Sequence, residues 1–154
     1  MYKPTDDNLA NNYDEIIEIL TTQLKYHQEL LRYTCKIKET LTENCNADLL
    51  DKTMNERGLL IDKLISSKKY YDSIKESSSF ADNSIWKTSV DVLLHQIHQL
   101  LNSTIIHDAE NTSLIKDHIK DITYNLEKIQ EGKHLLNNEK RCVEMLPSLI
   151  DICG

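Results

Sequence analysis

The stretch "IIHDAENTSLI", residues 105–115, decides how this chain folds. It breaks a long run of evenly spaced Leu and Ile, setting Asp108 and Asn111 where the spacing calls for apolar side chains. As a turn it would make a hairpin; as helix it would join both sides into one element. The series through it is Trp86, Val90, Leu93, Ile97, Leu100, Thr104, Asp108, Asn111, Ile115, Ile119, Ile122, Leu126, Ile129, Lys133 and Leu136. Its mean step is about 3.57 residues, between the coiled-coil and straight-helix periods. A turn at 105–112 would reset that phase, and no Gly or Pro lies between Gly58 and Gly132 to build one. The spacing predicts one continuous helix over about 84–138.

The rest of the chain reads the same way. Leu9, Tyr13, Ile16, Leu20, Leu24, His27, Leu31, Thr34 and Leu41 form one apolar face after Pro4 and Asp6, predicting a helix over about 7–44. The segment "ENCNAD" has no stripe and offers Asn46 as an N-cap. Leu50, Met54, Ile61, Leu64, Tyr71 and Ile74 then mark a second helix over about 47–76, with Gly58 in its middle. It ends in the Ser/Asp/Asn cluster "KESSSFADNS".

The expected class is all-α: an antiparallel hairpin or coiled coil of three long helices in a single domain, 1–154. Residues 139–154 form its C-terminal tail or short helix, where Pro147 interrupts helical structure. A rise of about 1.5 Å per residue makes the helices about 57, 45 and 80 Å long. Two shorter helices cannot cover the third, and its full-length neighbours give out near residue 114.

Composition narrows the function. The chain has three Gly, two Pro and a formal charge of −7 with a pI near 5.3. Nucleic acid and anionic membranes call for a basic surplus, so neither is an expected partner. With no long apolar run and no signal-like N-terminus, membrane insertion is not expected and the cytoplasm is the expected location. Cys35, Cys45, Cys142 and Cys153 form no C-x-x-C pair and read as free thiols.

No Gly-rich phosphate loop, G-x-S-x-G or H-E-x-x-H occurs, and the chain is not expected to be an enzyme. No cofactor or metal is expected, Asp91, His95 and His98 being the weak metal candidate. Thr104, Asp108 and Asn111 read either as a polar layer that fixes helix register or as a face left in water. The stripe that follows, Leu114, Ile115, Ile119, Ile122, Leu126 and Ile129 with Leu135 and Leu136, is too apolar to stay uncovered. Its cover is helices one and two, a second copy, the tail, or another protein's amphipathic helix.

Two segments carry a family resemblance. "LLDKTMNERGLLIDKL" sets a charged group before Leu-Leu, and "HDAENTSLIKDHIKDITYNLEKIQEGK" holds Asp108, Asn111, Leu114, Ile115 and then Gly132 and Lys133. Across roughly residues 9–136 the pattern resembles the FlgN-type flagellar type III export chaperones and, second, their FliT-type relatives; the tail is more apolar than theirs. The resemblance implies a non-catalytic chaperone that binds the terminal helix of hook-associated or filament-cap proteins and prevents their premature assembly. It would deliver them to the export apparatus, with the export ATPase or gate proteins as further partners. The alternative is a structural coiled-coil homodimer made by the same stripe.

Overall fold

Asn46 begins the second helix in the way the sequence suggests. Its Oδ1 accepts the Leu49 N–H at 3.1 Å and its carbonyl accepts the Leu50 N–H at 2.9 Å, satisfying backbone donors that a helix start leaves open. The structure is a computed structural model that describes residues 6–43, 46–77 and 84–150, with side chains over 13–43, 46–76 and 87–141. Three helices fill it: α1 (Asp6–Glu43), α2 (Ala47–Ser77) and α3 (Ser84–Ile150). The fold is all-α.

The continuous reading of residues 105–115 holds, since α3 runs unbroken for 67 residues. It also runs further than the spacing predicts: residues 139–150 continue the helix past 138 instead of forming a separate tail, and 151–154 lie outside the described residues. Pro147 does not break it. Near a helix end a proline removes one backbone bond, here the one to the Val143 carbonyl, and leaves the preceding turns intact.

Contacts divide the chain into two units, Met1–Leu114 and Ile115–Gly154. In the first, α1 and α2 are antiparallel, tied near one end by a hydrogen bond from the Tyr70 hydroxyl to the Glu15 carboxylate. Ile16, Ile19 and Leu20 of α1, Ile74 of α2 and Ile97 of α3 form the apolar core, with Leu24, Tyr71, Val90, Leu93 and Leu94 packed against it. Further along, polar residues are buried among Leu30, Ile37, Leu41 and Leu60: Thr34, Thr53, Thr104 and Asn111. Each of these threonines returns its hydroxyl to the carbonyl one turn back on its own helix, Thr34 to Leu30, Thr53 to Leu49 and Thr104 to Leu100, all within 2.8–2.9 Å. That local bond lets a polar side chain be buried without a partner on another helix.

Self-satisfied threonine also explains a departure on α2. The apolar pattern points to Met54, yet Met54 is exposed, and Thr53 and Leu60 are buried. The second unit is α3 alone. From Ile119 to Arg141 every side chain is exposed.

Gly58 lies mid-helix with nothing within 4 Å of where a Cβ would stand. Gly58→Ala should therefore raise stability by about 0.5–1 kcal/mol, the ordinary cost of glycine in a helix interior. Urea unfolding followed by circular dichroism measures it, and a midpoint at or below wild type would show that the glycine is required.

Candidate functional site

At the level of these buried polar residues, one side chain reaches two helices. Arg57 of α2 donates from Nε to Thr34 Oγ1 on α1 at 3.2 Å and pairs through Nη2 with Asp108 on α3. One turn on, the Asn111 amide donates to the Thr34 backbone carbonyl at 2.9 Å. Thr34 thus receives both neighbouring helices, one at its hydroxyl and the other at its carbonyl. Asp108 and Asn111 reach α2 and α1, whereas Thr104 is buried with its hydroxyl on the Leu100 carbonyl of its own helix. Asn111 is 4% exposed and its Oδ1 has no partner, so it is held by one of its two polar ends.

Outside these contacts, Lys38 of α1 reaches Glu110 of α3 at 2.8 Å, and the His107 ring meets the same carboxylate at 3.0 Å. The hydrogen bond from Lys38, then that from His107, lowers the Glu110 pKa below the usual carboxylate range. Both side chains are well exposed, so the pair orients α3 on α1 more than it stabilises.

The sequence singled out Asp108 but not its partner. Arg57 sits inside the charged run "NERG", and only its place between buried Thr53 and Leu60, four and three residues away, marks it as facing inward.

The apolar stripe lies mostly in the second unit. Leu114, in the first unit, and Ile115 are half-buried; Ile119, Ile122, Leu126, Ile129, Leu135 and Leu136 are all more than half exposed. From Ile115 to Leu136 its step alternates four and three, about 3.5 on average, the coiled-coil repeat, as it does from Trp86 to Leu100; paired steps of four about Thr104 and about Ile115 separate the two runs. Leu135 falls off that seam, next to it.

Other candidate groups carry less. A cavity of about 320 Å³ in the first unit is lined by Gln23, His27, Leu64, Tyr71, Ile97 and others. Gln23 Nε2 and His27 Nδ1 are buried there without partners, one turn apart on α1, a spacing at which His95 and Gln99 do meet at 3.0 Å. Among the described residues no group of three or more His, Cys, Asp or Glu is placed to hold a metal. Asp91 and His98 are exposed, and His95 is engaged by Gln99. Glu131 and His134 have Glu-x-x-His spacing, but a di-iron bundle needs two such pairs on facing helices and the sequence has one. Cys35 is a free, half-buried thiol; the side chains of Cys45, Cys142 and Cys153 lie outside the described residues.

No family model, curated protein or solved structure matches this chain.

Two measurements test the first unit. Arg57→Met should cost about 1–2 kcal/mol, since it takes the counter-charge from Asp108 and one donor from Thr34, and a double-mutant cycle with Asp108→Asn should return a coupling of about 1 kcal/mol. A coupling of zero would mean that the pair does not hold the helices together.

The second concerns pH. Burial lowers the His27 pKa below the ordinary histidine range, so on acidification the unfolded chain takes up this proton before the folded one. Its contribution to stability is complete above that range and is lost as the pH falls through it. Unfolding midpoints should drop as the pH falls through and below the ordinary histidine range, and His27→Leu should flatten that drop. Glu110 acts in a separate window: its contribution is present above the carboxylate range and is lost only at lower pH. An unchanged slope in His27→Leu would exclude the imidazole as its source.

Proposed function

We propose that this chain is a non-catalytic binding protein that takes an amphipathic helix of another protein onto the α3 stripe. The observation that carries this reading is the exposure of Ile119, Ile122, Leu126, Ile129 and Leu136 along one line of a continuous helix. A row of this kind is the docking face of helix-on-helix recognition, read by the partner as anchors at helical spacing. No helix is long and apolar enough to cross a membrane among the described residues, so a lipid-spanning role gives the row no cover.

The specific form of the proposal is a cytoplasmic export chaperone. It would hold the terminal helix of a hook-associated or filament-cap protein, keep it from assembling early, and pass it to the export apparatus. Its supports are the motif residues Asp108, Asn111, Leu114, Ile115, Gly132 and Lys133, and an acidic chain that stays soluble while presenting an apolar row. A second reading, the coiled-coil homodimer, is favoured by the 3.5-residue step, which suits self-pairing as well as pairing with a partner.

On a sizing column, terminal segments of hook-associated proteins should form a stable complex with the wild-type chain. Ile122→Asp should abolish that complex without loss of helicity, because Ile122 is 58% exposed and supports no core. Failure of every such segment to bind removes the export-chaperone form. A stable dimer by light scattering, dissociated by Ile122→Asp, selects the homodimer instead.

A further inference from the structure

The stripe is interrupted once, and the interruption is a charge. In the alternating register from Ile115 to Leu136, Lys133 takes a seam position between Ile129 and Leu136, and Lys140 takes the next equivalent one. Elsewhere in the second unit the lysines that find a partner are outside the seam: Lys120 pairs with Asp117 at 3.3 Å and Lys128 with Glu131 at 3.4 Å. Lys133 has no such neighbour. The residues three and four positions away on α3 are Ile129, Gln130, Leu136 and Asn137, and among the described residues it makes no ion pair. The flanks are nearly uncharged, with Thr123, Asn125, Gln130 and Asn137 between Lys116 at one end and Glu139 at the other.

We infer that the occupant of the stripe is a different protein's amphipathic helix bearing an Asp or Glu in the layer that faces Lys133. This rests on the helix-docking reading above and names the partner's chemistry. A docked helix removes water from the seam, and an ammonium left there without a counter-charge opposes docking. A carboxylate in the facing layer neutralises it and fixes the register, as a single polar residue in a seam does. A second copy of this chain does not meet that need. Parallel pairing sets Lys133 against Lys133 and Lys140 against Lys140. Antiparallel pairing centred on Ile122 and Leu126 sets Lys133 in the layer of Ile115, next to Lys116 of the other copy; centred on Ile119 and Ile122, it sets Lys133 against Asp108, whose carboxylate Arg57 already holds.

The probes are synthetic helical peptides of seven apolar layers matched to Ile115–Leu136, used at concentrations where each is monomeric alone. One series carries Glu or Lys in the sixth layer, for parallel docking, and the other in the second layer, for antiparallel docking; an all-Leu peptide completes the set. Binding to the full chain is read by fluorescence anisotropy at low salt. In one of the two series the Glu peptide should bind about tenfold more tightly than its Lys counterpart, and Lys133→Glu should reverse that order. Equal binding of the Glu and Lys peptides in both series overturns the inference while leaving the stripe as a docking face. If no peptide binds, the all-Leu one included, the docking reading itself fails. Self-association of the chain through the stripe, unchanged by Lys133→Glu, also overturns the inference.

Discussion

The guanidinium of Arg57 holds α1 and α3 to α2 at a single level, and the register of the first unit depends on it. A planar group with fixed donors suits this: Nε is directed at Thr34 and Nη2 at Asp108, and neither can shift by a turn without losing the other. Asn111 repeats the constraint from α3 to the Thr34 carbonyl. Such a layer adds little net stability, since partial desolvation of the charges offsets much of their attraction. Its effect is selective. Apolar helices that pack through Leu and Ile alone can slide by a turn at small cost, whereas a slipped Arg57 would leave a largely buried charge unpaired.

That level is also where the alternating spacing of α3 is interrupted. From Trp86 to Leu100 and again from Ile115 to Leu136 the steps alternate four and three, about 3.5 on average. Leu100, Thr104 and Asp108 are separated by two successive steps of four, the inserted spacing that unwinds a coiled-coil repeat, and so are Asn111, Ile115 and Ile119. These insertions raise the average to about 3.57 without breaking the phase, which is why the series reads as one helix.

Much of this was legible in the residues. The Asn46 cap, the continuity of α3 through "IIHDAENTSLI" and the apolar rows of α1 and α3 all follow from spacing and from the scarcity of Gly and Pro. Three features were not, each for a physical reason. Arg57 hides because charge is read as exposure, and only a partner on another helix reverses that. Thr53 displaces Met54 from the interior because a hydroxyl bonded to its own backbone behaves as a small apolar group. The end of α3 lies past Pro147 because a proline in the last turn of a helix costs one backbone bond and leaves the preceding turns in place. What covers the stripe is not written in spacing at all, since docking faces and self-pairing faces share one period.

The second unit has a different energetic basis from the first. An isolated helix is marginal in water, and its stability comes from propensity and local pairs rather than from a core. Lys120–Asp117 and Lys128–Glu131 supply such pairs, worth a few tenths of a kcal/mol each by order of magnitude. Gly132, directly after Glu131 of the second pair and just before the seam lysine, works against them. A partner that covers Ile119 through Leu136 would therefore stabilise the helix it binds as well as bury the row. Part of its binding free energy would go into helix order, so affinity measured on this face reports both terms together.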